Sequence, residues 1–288
     1  MEYAFFVGCN SSFRFHNYEL STRRISKELG IDLVDIKFIC CGYPLEPIKQ
    51  EATLLMAARN LAIAEEKGLD IITICNTCAK TLTKYNELLR NDKNLLTEVN
   101  RSLNKLGYEY KGNVTVKHLV RILCEDVGIK KVRESVKNPL KNLTVSTHYG
   151  CHYNRPSEIY NNFDDPENPR NLDELVEAAG SKIVHYKNKK MCCGGPLLST
   201  SSNITLSLSD EKLKAVKSAG ADALIVICPF CGLVYDFCQN EIEETFGRKY
   251  GITILFLPQF LGLSMGIDKS ELGLDLNRVS ARSLLEKI

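Results

Sequence analysis

Two copies of one cysteine pattern divide this chain into halves. In each copy a single cysteine is followed by a Cys-Cys-Gly triplet and then by a Cys-x-x-Cys motif. The ten cysteines are Cys9, Cys40, Cys41, Cys75 and Cys78 in the first half and Cys151, Cys192, Cys193, Cys228 and Cys231 in the second. Corresponding positions are 142 residues apart for the single cysteine, 152 for the triplet and 153 for the Cys-x-x-Cys motif. A repeat of this length in a chain of 288 residues predicts two similar domains.

Short apolar runs lead into the cysteines. Residues 71–74 precede the first Cys-x-x-Cys motif and residues 224–227 precede the second, and such runs are typical of strands buried on both faces of a parallel sheet. A helix ending at Gly68 is predicted before the first run, and a helix capped by Ser209 and ended by Gly220 before the second. Alternating strands and helices predict an α/β fold of two tandem-repeated small domains, each with a parallel sheet flanked by helices.

The boundary between the domains is predicted near residues 138–140. This gives a first domain of residues 1–140 and a second of residues 141–288 with a C-terminal tail. The acidic, proline-containing run 164–169 is interpreted as a loop insertion of the second half. Functional groups of open parallel sheets gather beyond the carboxyl ends of the strands, so we expect the cysteines of each half to converge there.

Composition limits the classes of function. The 37 basic and 35 acidic residues leave a formal charge of +2, which provides no broad field for nucleic acid or anionic membrane. Residues 252–267 form an apolar stretch too short to span a bilayer. The 12 cysteines are too sparse for a disulfide-stapled secreted domain, and the N-terminus lacks a basic segment of the secretory type. We therefore expect a cytoplasmic protein, without nucleic-acid partner or membrane insertion, whose cysteines bind metal or carry out redox chemistry.

Five thiolates per half are compatible with three kinds of site. A structural zinc ion takes four ligands and is best indicated by a second Cys-x-x-Cys motif. Adjacent cysteines point apart and can reach two metal atoms of a cluster, whereas ordinary cubane clusters take four cysteines. The ligand chemistry favours an iron-sulfur cluster that is larger or distorted, while zinc and a redox disulfide stay open at this point.

The repeated pattern resembles the cysteine-rich CCG domain, and a chain of two such domains resembles the B subunit of the heterodisulfide reductase of methanogenic archaea. Residues 149–156 (YGCHYNRP), 192–196 (CCGGP) and 228–231 (CPFC) carry the closest local resemblance, which extends over nearly all of the chain. The resemblance implies reduction of the coenzyme M–coenzyme B heterodisulfide to two thiols in methanogenesis. It also implies two noncubane [4Fe-4S] clusters, each held by the five cysteines of one half.

The resemblance also implies partners. No ferredoxin-type Cys-x2-Cys-x2-Cys-x3-Cys-Pro run occurs in the chain, so electrons are expected from other subunits of heterodisulfide reductase. These are the ferredoxin-like iron-sulfur C subunit, the flavin-containing A subunit, and hydrogenase or formate dehydrogenase as further donors. The alternative function is that of an iron-sulfur subunit of another CCG-domain oxidoreductase, of the glycolate or lactate oxidase or thiol:fumarate reductase type.

Two residues close to Cys151 are candidates for the chemistry. His152 is a candidate proton donor to the product thiols, because the ordinary pKa of histidine suits proton transfer near neutral pH; the alternative is a hydrogen bond to a carbonyl or a cluster sulfide. Arg155 is a candidate for binding a sulfonate or phosphate of the substrate, because a guanidinium fork suits a tetrahedral oxyanion. A solvated arginine before Pro156 is the alternative.

Overall fold

The computed structural model describes residues 1–288 and contains two separate four-stranded sheets. The eight strands are β1 (Glu2–Phe6), β2 (Asp32–Val34), β3 (Ile71–Thr73), β4 (Val116–His118), β5 (Thr144–His148), β6 (Lys182–Ile183), β7 (Ala223–Val226) and β8 (Thr253–Phe256). The strand order is β2-β1-β3-β4 in the first sheet and β6-β5-β7-β8 in the second. Every strand pair is parallel. The predicted α/β class with a parallel sheet in each half is confirmed.

Helices connect and cover the strands. In the first half they are α1 (Cys9–Arg14), α2 (His16–Leu29), α3 (Gln50–Glu66), α4 (Asn76–Asn91), α5 (Lys93–Asn104), α6 (Leu119–Ile122) and α7 (Ile129–Glu134). In the second half they are α8 (Asn171–Ala178), α9 (Ser202–Ser218), α10 (Pro229–Gly232), α11 (Gln239–Phe246), α12 (Leu257–Ser264) and α13 (Arg282–Leu285). A short 3-10 turn follows each Cys-Cys-Gly triplet, at Tyr43–Leu45 and Gly195–Leu197.

The central strands of both sheets are apolar because helices cover both of their faces. All residues of β3 and β7 are buried, which explains why the sequence shows continuous apolar runs there and no alternation. Strand β1 pairs with β2 on one side and β3 on the other, and β5 pairs with β6 and β7 in the same way. This arrangement brings the loops after the first and third strands of each half side by side.

The helix before β7 differs from its prediction. It begins at Ser202, so Ser209 lies in the middle of α9 and the prediction that it caps the helix is wrong. The Ser209 hydroxyl donates instead to the carbonyl oxygen of Cys193 at 3.2 Å. The first turns of α9 use polar side chains to hold the Cys-Cys-Gly loop, and this use removes the apolar periodicity that would have indicated where the helix starts.

The two halves exchange helices. After the last strand of the first sheet, α6 and α7 pack against α8 of the second half, and after the last strand of the second sheet, α12 packs against α2 of the first half. The largest buried apolar cluster therefore includes residues of both halves; the rings of Tyr18 and Phe256, for example, stack with centroids 4.0 Å apart. The sheets lie on either side of the predicted boundary, whereas the core crosses it, and the division into residues 1–140 and 141–288 stays a prediction.

A candidate metal centre between the two halves

Each half positions its cysteines at the carboxyl ends of its strands. Cys9 is the first residue of α1 after β1, and Cys75 precedes the first turn of α4 after β3. Glycine at position 8 has φ +80°, and a Cβ there would lie 3.2 Å from Cys78 Sγ. Only a residue without a side chain allows this backbone to approach the thiol so closely at this φ. Gly150 precedes Cys151 in the same conformation, with φ +75°.

The ten thiols form one continuous series in which each perturbs the pKa of the next, and the sulfurs of Cys192 and Cys151 lie 4.0 Å apart. In order, the series is Cys9, Cys40, Cys41, Cys78, Cys75, Cys228, Cys231, Cys193, Cys192 and Cys151. We call its first five members the first thiol set and its last five the second thiol set. Each cysteine of the first half and its repeat counterpart in the second half stand at mirrored positions in this series, as Cys9 and Cys151 do at its two ends. The two sets are therefore related by a pseudo-two-fold axis between Cys75 and Cys228. The structure therefore brings together all ten cysteines that the repeat singled out.

Backbone and helix groups hold each Cys-Cys-Gly loop in the same way. The N–H of Gly42 donates to Cys40 Sγ at 3.5 Å, and the N–H of Gly194 donates to Cys192 Sγ at 3.4 Å. The carbonyl oxygens of these glycines accept from the hydroxyls of Thr53 at 3.1 Å and Thr205 at 2.8 Å. Donation by neighbouring thiols and by the glycine N–H lowers the pKa of Cys40 and of Cys192, which favours the thiolate form that binds metal.

The donors fit an iron-sulfur cluster better than a lone ion. Hydrogen bonding to Cys40, burial and repulsion from neighbouring thiolates raise the pKa of Cys9, and the same causes act on Cys151. Ten adjacent sulfurs cannot all ionise without positive charge among them, and iron provides such charge. No three or more Cys, His, Asp or Glu side chains of residues 1–288 surround a single point in the way that one metal ion requires. Five sulfurs in each set exceed the four ligands of a tetrahedral zinc ion and suit a group that contains several iron atoms.

A cleft of about 890 Å³ opens between the two halves beside the thiols. The turns after both Cys-Cys-Gly triplets line it, through Tyr43-Pro44 on one side and Gly195-Pro196 on the other. A smaller pocket, lined by all five cysteines of the first thiol set, shares Tyr43, Pro44 and Phe230 with the cleft. These three shared residues therefore separate a small molecule in the cleft from the sulfurs of the first set, and Gly195-Pro196 places it beside the loop that carries Cys192 and Cys193.

His152 lines this cleft. Its Nδ1 lies 3.5 Å from Thr77 Oγ1, and its ring meets the ring of Tyr43 edge-on with centroids 5.6 Å apart. Burial lowers the pKa of His152, and the nearby Lys80 ammonium lowers it further. The structure thus places a neutral imidazole, one residue from Cys151, at the wall where a ligand would lie.

Arg155 does not reach the cleft. Its Nη2 donates to the carbonyl oxygen of Pro166 at 2.5 Å and to Glu167 Oε1 at 3.1 Å. These contacts fix the guanidinium against the acidic loop inserted in the second half. Arg155 is not among the residues that line the cleft, and its role in binding an anionic group of the substrate stays a prediction.

Two other cations line the cleft, and sequence reasoning missed both. Arg14 is exposed and lies at the end of α1, the helix that begins with Cys9. Lys80 lies on α4, two residues after Cys78, and its Nζ is 2.7 Å from Glu46 Oε2. Their position on helices that begin at cysteines of the first thiol set is the signal that could have indicated them.

Comparison with known proteins agrees with this geometry. The cysteine-rich domain model named CCG matches residues 3–83 and 145–236. The chain belongs to the CCG family. Among CCG proteins, it is 36% identical over 288 residues to the B subunit of the ferredoxin/F(420)H(2)-dependent CoB-CoM heterodisulfide reductase of Methanosarcina acetivorans, with 98% of this chain and 95% of the relative covered.

A second CCG relative has another named activity. The 8-methylmenaquinol:fumarate reductase membrane anchor subunit of Wolinella succinogenes is 31% identical over 285 residues, which cover 98% of this chain and 99% of the relative. In the CCG protein described here, no helix has the length and apolar character needed to cross a membrane. A crystal structure of a hypothetical protein from Helicobacter pylori matches with a TM-score of 0.79 at 19% identity, over 97% of this chain and 52% of that one. This match shows a shared fold.

Proposed function

We propose that this CCG protein is the catalytic iron-sulfur B subunit of a heterodisulfide reductase, which reduces the coenzyme M–coenzyme B heterodisulfide to two thiols in methanogenesis. The observation that carries the proposal is the meeting of the two thiol sets at Cys75 and Cys228 beside one cleft. Cleaving a disulfide to two thiols takes two electrons and two protons. Two adjacent redox centres suit this stoichiometry, and the full-length similarity to the Methanosarcina B subunit supports the assignment.

The cofactors proposed are two noncubane [4Fe-4S] clusters. The first thiol set would hold one cluster and the second thiol set the other. When bound, such clusters supply electrons one at a time and offer iron to a substrate sulfur. The row-like arrangement of five sulfurs per set supports a cluster with more contacts than the four cysteines of an ordinary cubane.

We propose that charged and titratable side chains of the cleft bind and orient the substrate. Arg14 and Lys80 provide positive charge at the cleft for the anionic ends of the heterodisulfide. Lys80 and Lys84 share the carboxylate of Glu46, with N···O distances of 2.7 and 2.6 Å, so this trio keeps one net positive charge. Because burial lowers its pKa, His152 rests as a neutral imidazole, so it would take up a proton from solvent during turnover and pass it to a product thiolate.

We propose that this protein receives its electrons from partner subunits. Because the chain has no ferredoxin-type cysteine run, the electrons come from the ferredoxin-like C subunit, together with the flavin-containing A subunit, in a complex that can also contain hydrogenase or formate dehydrogenase. The Methanosarcina relative is itself named as one subunit of its enzyme, which supports a multisubunit complex. We place this complex in the cytoplasm.

The test is turnover by anaerobically purified protein with a reduced viologen dye as electron donor. Oxidation of the dye should require the heterodisulfide and should yield both thiols. Cys75→Ser and Cys228→Ser should abolish this activity, whereas Cys238→Ser should retain it because Cys238 lies outside both thiol sets. Turnover of fumarate, lactate or glycolate without turnover of the heterodisulfide would contradict the proposal and support the alternative CCG oxidoreductase, to which the 31% identical fumarate reductase subunit points.

A further inference from the structure

The surroundings of the two thiol sets differ although their cysteines repeat. Three positions behind the second set are polar where the equivalent positions of the first half are neutral or apolar. The polar residues are Lys212 on α9, His148 on β5 and Tyr235 after α10, and their counterparts are Asn60 on α3, Phe6 on β1 and Leu82 on α4. The repeat therefore provides an internal comparison of one site with and without these groups.

Lys212 is the largest difference, because its side chain is fully buried. Its Nζ donates to the carbonyl oxygens of Asn188 at 2.8 Å and Lys189 at 3.0 Å. It also lies 3.4 Å from His148 Nδ1. No carboxylate forms an ion pair with it, in contrast to the neighbouring Lys189, which pairs with Asp173 at 2.7 Å. The charge of Lys212 is therefore not neutralised by an acidic side chain in contact with it.

Holding the loop before the cysteines does not require this charge. In the first half, the uncharged amide of Asn60 holds the residue before the cysteines by bonding both the N–H and the carbonyl of Ile39, at 3.0 and 3.1 Å. Burying a lone ammonium costs free energy that a neutral amide avoids. Lys212 lies three residues after Ser209, whose hydroxyl holds the carbonyl oxygen of Cys193, so its ammonium lies behind the second thiol set, and the thiolates of Cys231 and Cys193 attract it.

Two further hydrogen-bond donors lie behind the second thiol set. The Nε2 of His148 and the hydroxyl of Tyr235 are buried without a hydrogen-bond partner in the protein. Burial raises the pKa of Tyr235, and the nearby thiolates of Cys193 and Cys231 raise it further. Phe6 and Leu82 can offer no donor at the equivalent positions of the first half.

We propose that Lys212 raises the reduction potential of the cluster held by the second thiol set above that of the first, so that an electron entering the pair resides mainly on the second cluster. This inference rests on the proposed function, because it requires a cluster in each set. A reduced cluster carries one more negative charge than an oxidised one, and a fixed cation in a poorly solvated interior stabilises that charge. Net charge and hydrogen bonds around the sulfurs are the levers by which proteins set cluster potentials.

Burial lowers the pKa of Lys212 to about 8, while the thiolates of the second set act in the opposite direction. The ammonium is therefore charged at pH 7, where the test is made. A redox titration monitored by electron paramagnetic resonance, on anaerobically purified protein with its clusters bound, measures the midpoint of each cluster. Lys212→Asn copies the residue that the first half carries at this position, and Lys212→Arg keeps the charge.

We expect Lys212→Asn to move one of the two transitions to lower potential and to leave the other in place. A tenfold change in the ratio of oxidised to reduced cluster at fixed potential corresponds to 59 mV for a one-electron couple, and we expect a shift of at least this size. Lys212→Arg should keep the native midpoints. The reciprocal variant Asn60→Lys should raise the transition that Lys212→Asn leaves unchanged.

Iron content and circular dichroism show whether each variant is folded and loaded. An iron-loaded Lys212→Asn protein whose midpoints are both unchanged, or both shifted equally, would overturn the inference. If Lys212→Asn does not fold, Asn60→Lys decides: a raised transition supports the inference and two native midpoints overturn it. A native protein that binds no iron at either set would instead refute the proposed function, so the two failures are distinguishable.

Discussion

A hydrogen bond joins the two halves beside the thiol sets, and replacing Gly150 by alanine should break it. The Nδ2 of Asn76 donates to the carbonyl oxygen of Tyr149 at 2.6 Å, and both residues are buried. Gly150 has φ +75°, and a Cβ on it would lie 2.7 Å from Asn76 Nδ2. Alanine at this position must therefore push the Asn76 amide away from its acceptor.

The magnitude has two parts. An L-residue in the left-handed region costs about 1–2 kcal/mol, and leaving a buried acceptor without its donor costs about 1–3 kcal/mol. Gly150→Ala should thus lower the free energy of unfolding by about 2–5 kcal/mol. Gly68 is the matched control, because it has φ +67° with no heavy atom within 4 Å of its would-be Cβ. Gly68→Ala should lower the free energy of unfolding only by the backbone cost of the left-handed conformation, about 1–2 kcal/mol.

The assay is thermal unfolding of anaerobic protein, in a double-mutant cycle with Asn76→Ala. A loss of 1 kcal/mol shifts Tm by roughly 2–4 °C in a chain of this size class. In the Asn76→Ala background the obstructing amide is absent, so Gly150→Ala should cost no more than Gly68→Ala does. Additive losses for Gly150→Ala and Asn76→Ala would refute the reasoning, because additivity is expected only of residues that do not interact.

Three further predictions concern stability and turnover. Burial raises the pKa of Asp236 from its ordinary 3.8 to about 6, so the unfolded chain loses this proton first as pH rises. The free energy of unfolding should therefore fall by about 2 kcal/mol between pH 4 and pH 6, and urea unfolding of Asp236→Asn should lack this slope. Arg14→Gln should raise KM for the heterodisulfide about 10- to 100-fold, with Arg101→Gln, on the distant helix α5, unchanged in steady-state kinetics. His152→Gln should lower turnover about 100-fold or more at native iron content, and native turnover would remove His152 from the mechanism.

The sequence predicts the parts of the fold that depend on local pattern. Apolar runs followed by cysteine identify β3 and β7, because strands covered on both faces must be apolar throughout. The convergence of the ten thiols follows from parallel topology, since the carboxyl ends of parallel strands share one edge of the sheet. The start of α9 escapes prediction, because Thr205 and Ser209 use a polar face of the helix to hold the Cys-Cys-Gly loop.

The contacts between the halves could not be predicted from spacing. The exchange of α6, α7 and α12 across the boundary depends on which apolar faces meet in three dimensions, and the cysteine repeat describes each half separately. For the same reason the sequence points to Arg155 and not to Arg14: Arg155 is close in sequence to Cys151, but the inserted acidic loop binds its guanidinium. Lys212 gives no sequence signal, because a lysine on a helix is ordinarily solvated.

The most direct test of the central claim is the iron substructure of anaerobic crystals, located from anomalous scattering at the iron edge. We predict two separate groups of iron, one in contact with each thiol set, on opposite sides of the point where Cys75 meets Cys228. A single metal peak per half, zinc scattering in place of iron, or thiol sets without metal would contradict the account.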